Sequence, residues 1–108
     1  MSFKLIPTPV FERELKQLVK KYPSIKKDIA SLGAQLTQEP RMGTPIGNDC
    51  YKIRMAITSK GKGKSGGARV ITYIQITDEN IFLISIYDKS EAENITDKEL
   101  LNRLKHIR

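Results

Sequence analysis

Two residue types that build most enzyme sites are nearly missing from this chain, which has one cysteine and one histidine in 108 residues. Cys50 alone cannot form an internal disulfide, so the fold must rest on packing, and this length suffices for one domain, residues 1–108, to bury a core without disulfides or metals. With His106 as the only imidazole, no zinc site, no Ser-His-Asp set and no two-histidine nuclease can be assembled. Its place near the end reads as a frayed terminal side chain, and Cys50 without a histidine partner reads as structural. No apolar run approaches the ~20 residues of a membrane span. Lys4 and Pro7 interrupt the short apolar start, so no signal peptide is expected, and the chain reads as soluble and cytoplasmic with no membrane partner. Repeats and low-complexity tails are lacking too. Acidic residues are missing from residues 50–77, where Lys52, Arg54, Lys60, Lys62, Lys64 and Arg69 lie, so that window carries +6 of the net +7. Such a local excess favours a polyanion, most often nucleic acid.

What is present is strongest between Asp49 and Tyr87, where three apolar runs, CYKIRMAIT, ARVITYIQI and IFLISIY, have strand periodicity and the loop SKGKGKSGG joins the first two. Alternation puts Tyr51, Ile53, Met55 and Ile57 on one side of the first run, with Lys52, Arg54 and Ala56 on the other. In the second run Val70, Thr72, Ile74 and Ile76 oppose Arg69, Ile71, Tyr73 and Gln75; in the third, Phe82, Ile84 and Ile86 point inward against Leu83, Ser85, Tyr87 and Lys89. One sheet face therefore needs covering. The other gathers Lys52, Arg54, Arg69, Tyr73, Tyr87 and Lys89 as the candidate site.

The cover is legible upstream. Residues 2–6 read as a short strand stopped by Pro7. Thr8 and Pro9 start a helix whose stripe is Phe11, Leu15, Leu18, Val19 and Tyr22, ended by Pro23. Ser24 is placed to cap a second helix with the stripe Ile25, Ile29, Leu32 and Leu36. Residues 40–49 read as a patternless loop. After the strands, Thr96 and Glu99 predict a capping box for a last helix, with Leu100, Leu101, Leu104 and Ile107 apolar and with Lys105, His106 and Arg108 favouring its C-terminal dipole. Whether that helix docks or swings out is left open. The expected class is α+β, in the order β-α-α-β-β-β-α, an antiparallel-type twisted sheet covered on one face by an αα-hairpin.

The Gly63-Lys64-Ser65 triplet fails as a phosphate loop, because Thr58 stands where the first glycine is required and a strand follows. The candidate face also lacks carboxylates, which argues against glycosidase and metal-dependent phosphodiester chemistry. Cations with tyrosines can hold phosphates, stack bases on Tyr73 or Tyr87 and stabilise a phosphorane by fixed charge. RNA supplies its own nucleophile, the 2′-hydroxyl. A lysine such as Lys52, crowded by Arg54 and Arg69, fits the part of proton acceptor.

DCYKIR, the basic glycine loop, GGARVITY and LISIYDKSE, in this element order, closely resemble the RelE/ParE superfamily of type II toxin-antitoxin toxins, particularly its RelE and HigB-like branch. The resemblance spans nearly the whole chain. It implies a microbial-RNase-like fold and a metal-free, cofactor-free mRNA endonuclease acting on the ribosome, with a cognate antitoxin, the ribosome and mRNA as partners. By the same resemblance Lys52 or Arg54 would serve proton transfer and charge, Arg69 would stabilise the transition state and Lys89 would assist the leaving group. Tyr87 would stand in for a C-terminal tyrosine whose place is taken by Ile95. Lys60, Lys62 and Lys64 would grip RNA. Arg54 departs from the family's lysine, and a guanidinium does not deprotonate in proteins. Two rivals are a ParE-type gyrase inhibitor of the same fold and a non-catalytic RNA- or ribosome-binding module.

Overall fold

The computed structural model describes residues 3–92 and 94–107. Ser2, placed in the first strand by the sequence, and Arg108, placed at the last helix end, lie outside them. The chain runs β1 (Lys4–Pro7), α1 (Pro9–Lys21), α2 (Ile25–Gln38), β2 (Thr44–Gly47), β3 (Cys50–Met55), a single 3-10 turn (Thr58–Lys60), β4 (Ala68–Gln75), β5 (Asn80–Asp88) and α3 (Asp97–Leu104). One five-stranded sheet has the order β1-β5-β4-β3-β2. The β1–β5 pair is parallel and the rest are antiparallel. This is the expected α+β architecture with one strand added.

That strand is β2, inside the segment read as a loop. Asn48 and Asp49 both take left-handed backbone, φ 56° and 61°, the geometry of a two-residue hairpin turn, and they bring Gly47 opposite Cys50. Pro45 is tolerated because β2 is an edge strand. Four residues containing a proline carry too little periodicity to be read as a strand.

Helix starts follow local chemistry. The Thr8 hydroxyl accepts from the Phe11 N–H at 3.3 Å, and Thr96 does the same for Glu99 at 3.1 Å. Ser24 behaves otherwise. Its own backbone is helical, and its hydroxyl donates to Asp28 and accepts from the Ser59 N–H at 2.8 Å, so it ties α2 to the basic loop instead of capping the helix. Only the Thr96 half of the expected capping box is seen, for Glu99 bonds Arg103 Nε at 3.0 Å.

The αα-hairpin lays Phe11, Leu18, Ile25, Leu32 and Leu36 on Ile53, Met55, Ile57, Val70, Ile81, Leu83 and Ile86. Leu15, Val19, Tyr22 and Ile29 complete both predicted stripes. Strand β5 does not alternate as expected. Ile71 pairs with Ser85 while Thr72 pairs with Leu83, so Ile84 is an extra, bulged residue that resets the side-chain phase. Leu83 therefore faces the hairpin, whereas Phe82 and Ile84, expected to point inward with Ile86, face the opposite side. Ile76 follows the end of β4 and is 48% exposed, so it is not an inward residue.

That opposite side has a core of its own. Leu100 and Leu104 of α3 pack on Cys50, Ile71, Tyr73 and Ile84, with Ile107 alongside, while Leu101 is 44% exposed. Arg103 fastens the helix: its Nη1 and Nη2 reach the two Glu14 oxygens at 3.1 and 3.0 Å, and Nη1 also reaches the Ile84 carbonyl at 3.0 Å. Burial lowers the pKa of this guanidinium, but Glu14 and Glu99 outweigh it and raise the value. The last helix docks. Strand β4, covered on both faces, is buried along nearly its whole length.

Candidate nucleic-acid site

Docked α3 covers only part of its sheet face. The uncovered end carries a row set by strand register, in which Arg54 of β3 lies opposite Arg69 of β4, and Arg69 opposite Tyr87 of β5. Lys52 sits two residues back along β3, and Lys89 follows β5. A shallow cavity of about 440 Å³ is lined by Lys52, Arg54, Arg69 and Lys89 with Thr44, Ser65 and Asn94. Four cations line it and no carboxylate of the described residues does. Like charges directly opposite each other are unfavourable. The arrangement is therefore one that an anion relieves.

Each cation has a distinct setting. The Lys52 ammonium donates to Asn94 Oδ1 at 2.7 Å, across the cavity mouth. Arg69 is 5% exposed, and its guanidinium donates to the carbonyls of Lys64 (3.1 Å), Ala68 (3.2 Å) and Ser65 (3.2 Å). It thus lines the cavity and holds the end of the basic loop at once. Arg54 is exposed. The Lys89 N–H donates to the Gly67 carbonyl at 3.0 Å, fixing where its side chain leaves the backbone. Burial pushes the Tyr87 phenol above its ordinary value against the opposing influence of the Ile95 backbone and the Arg69 charge. At neutral pH it is a hydroxyl, able to donate.

The SKGKGKSGG loop is moored to the body of the protein. Asp28 of α2 accepts from the Thr58 N–H at 3.0 Å and the Thr58 hydroxyl at 2.6 Å. Burial raises the Asp28 pKa, but Thr58 and Ser24 hold it below the ordinary value. Gly67 passes so close to β3 that a Cβ there would stand 2.2 Å from the Met55 carbonyl oxygen, which explains the glycine.

Two residues expected to touch RNA are placed elsewhere. Lys60 is turned to the hairpin side, its ammonium 2.7 Å from Asp88 Oδ1 and 5.6 Å from the centre of the Tyr22 ring, and its side chain is only 12% exposed. Tyr73 is 8% exposed beneath α3, stacked on Phe82 with ring centres 5.9 Å apart, so it has no face to offer a base. Lys62 and Lys64 remain exposed. The structure thus brings Lys52, Arg54, Arg69, Lys89 and Tyr87 together, leaves Lys62 and Lys64 on the adjacent loop, and withdraws Lys60 and Tyr73.

Thr44, Ser65 and Asn94 were not legible as cavity residues. Thr44 arrives only because β2 pairs it with Lys52. Among the described residues no group of three His, Cys, Asp or Glu side chains could hold a metal ion, and no helix is long and apolar enough to cross a membrane.

An antiparallel-dominated sheet with an αα-hairpin on one face and a short docked helix on the other is a fold shared with solved RelE toxins. The model of the RelE toxin of the RelE/RelB toxin-antitoxin system matches residues 9–107, and the chain belongs to that family. An arginine-to-alanine double mutant of the E. coli toxin RelE in the free state aligns over 100% of both chains, at 19% identity and a TM-score of 0.64. The toxin-antitoxin complex RelBE2 of Mycobacterium tuberculosis matches 82% of this chain and 99% of its own, at 16% identity and a TM-score of 0.61. The E. coli mutant with an antitoxin RelB peptide matches 89% and 100%, at 21% identity and a TM-score of 0.59. These likenesses show a shared fold.

Proposed function

We propose that this toxin is a metal-free endoribonuclease of the cytoplasm that cuts messenger RNA on the ribosome, of the HigB-like kind, and that a cognate antitoxin restrains it. One observation carries the reading: four cations converge on one cavity with no carboxylate of the described residues lining it. A phosphodiester supplies the missing negative charge, and its own 2′-hydroxyl supplies the nucleophile. In this scheme Arg54 and Arg69 stabilise the extra charge of the phosphorane, Lys52 in its neutral amine form accepts the 2′ proton, and the Lys89 ammonium gives a proton to the leaving 5′ oxygen. Tyr87, as a neutral hydroxyl beside Arg69, donates to a phosphate oxygen. Lys62 and Lys64 extend the positive surface towards flanking RNA. The complexes of related toxins with RelB antitoxins support a cognate antitoxin as partner.

The test is induction of the chain in growing bacteria with 5′ ends of a translated message mapped by primer extension, beside Arg54→Ala and Arg69→Ala forms. New ends are expected only with the intact chain and only while the start codon is present. Arg54→Ala is the cleaner variant, because Arg69 also holds the loop. Growth arrest without new ends would replace the RNase reading with a target such as gyrase. Cleavage that survives Arg54→Ala and Arg69→Ala would overturn the site.

A further inference from the structure

Asp88 lies between Tyr87 and Lys89, yet strand alternation turns its carboxylate away from the cavity, towards the hairpin side. It is buried, 1% exposed, and four donors converge on it: the Tyr22 hydroxyl at 2.5 Å, the Lys60 ammonium at 2.7 Å, and the Ser90 N–H and hydroxyl at 3.0 and 2.9 Å. This one side chain joins the end of α1, the end of β5 and the basic loop. Lys60 is the last tied side chain before residues 61–67, where four glycines in seven residues leave the loop little conformational preference of its own. The far end of that run is held by Arg69, through the carbonyls of Lys64 and Ser65.

We propose that Asp88 is a positioning residue of the cationic cavity, acting through Lys60 to hold the glycine-rich loop in the one arrangement that keeps Ser65 and Arg69 at the cavity wall. It touches no substrate in this scheme; the inference rests on the RNase reading and adds a residue to it. Burial pushes the Asp88 carboxyl up, but Lys60, Tyr22 and Ser90 outweigh it and hold it far below the usual carboxylate range, so Asp88 meets Lys60 as a carboxylate at neutral pH. Fixing both ends of a flexible run removes conformations that would otherwise compete with the productive one.

The test is Lys60→Met, which keeps an aliphatic stem over Tyr22 and leaves Asp88 its Tyr22 and Ser90 donors, with Lys60→Gln as a second variant should the first not fold. Single-turnover cleavage of message on ribosomes is expected to fall about tenfold or more, with ribosome binding within about threefold, because displacement of groups remote from the reacting bond lowers rate more than binding. A lysine-specific protease should release fragments ending at Lys62 or Lys64, identified by mass, about tenfold faster from the folded variant, since cutting tracks the population of opened loop. Lys60→Arg should restore both. Faster loop cutting with unchanged message cleavage would show a purely structural contact and overturn the positioning role, as would wild-type values of both. If the wild-type chain cuts no message, the RNase reading falls, and the protease comparison alone still decides whether the Lys60–Asp88 contact holds the loop.

Discussion

Replacing Leu104 with alanine asks whether α3 is part of the folded body or an arm resting on it. Leu104 is 1% exposed and packs with Leu100 on Cys50, Ile71, Tyr73 and Ile84. Leucine-to-alanine changes at fully buried sites cost about 2–5 kcal/mol, from lost transfer energy plus the cavity left behind. The site lies on a helix of only eight residues, which can settle into part of that cavity, and this puts the expectation near the low end. Arg103 meanwhile keeps α3 attached through Glu14 and the Ile84 carbonyl. Urea unfolding followed by far-UV circular dichroism should therefore show one transition, about 2–3 kcal/mol less stable, with an unchanged slope. A helix that swings free would behave differently. The loss would stay within about 0.5 kcal/mol, as at surface sites. A smaller slope would mean that α3 had come off before the global transition and had stopped contributing buried surface. Either result would refute the two-sided core.

Three further outcomes are expected. Gly67→Ala, whose Cβ would stand 2.2 Å from the Met55 carbonyl oxygen, should destabilise by about 1–3 kcal/mol in thermal melts, whereas Gly47→Ala, with open space around its Cβ but φ +90°, should lose about 1–2 kcal/mol through backbone strain alone. For Asp88→Asn the sign follows from the depressed folded-state pKa: the carboxylate stabilises the wild type above its ordinary value of about 3.9, and that contribution fades as pH falls through the lower folded-state value. The difference in melting temperature between wild type and Asp88→Asn should thus be flat from pH 5 to 8 and narrow only below about pH 4, and a gap that closes near neutrality would refute the charged contact. Arg54→Gln should weaken binding to single-stranded RNA and flatten the log-log salt dependence by about 0.7, the share of one phosphate contact, with fold stability near wild type.

The mooring of the loop changes how the basic segment is understood. Read as a sequence, its lysines form one cationic run. In space they divide: Lys60 turns to the hairpin side to meet Asp88, Lys62 and Lys64 stay exposed, and the Lys64 backbone serves Arg69. Glycine supplies the sharp return at Gly67, where no side chain fits against β3. The two carboxylates that organise the loop, Asp28 and Asp88, are 30 residues before Thr58 and 28 after Lys60. Charge counts over a window hold no trace of such partners.

By itself the sequence determined whatever rests on short-range chemistry. Helical spacing named the stripes of α1 and α2, Thr8 and Thr96 marked two helix starts, and strand alternation in β3 put Lys52 and Arg54 on the face that Arg69 and Tyr87 share. The family resemblance rested on the element order and on the segments from DCYKIR to LISIYDKSE, and the family was shown by the match over residues 9–107. Tertiary structure decided what depends on residues far apart in the chain. The Ile84 bulge exists only as a pairing between β4 and β5, and it sends Phe82 and Ile84 to the side opposite the one alternation gave them. β2 is a strand because β3 gives it a partner, and Thr44 reaches the cavity with it. Docking of α3 buries Tyr73 and so removes it from the nucleic-acid surface. The fate of each lysine was likewise a tertiary matter, since alternation fixes the face a residue takes but only packing fixes which counter-charge waits there.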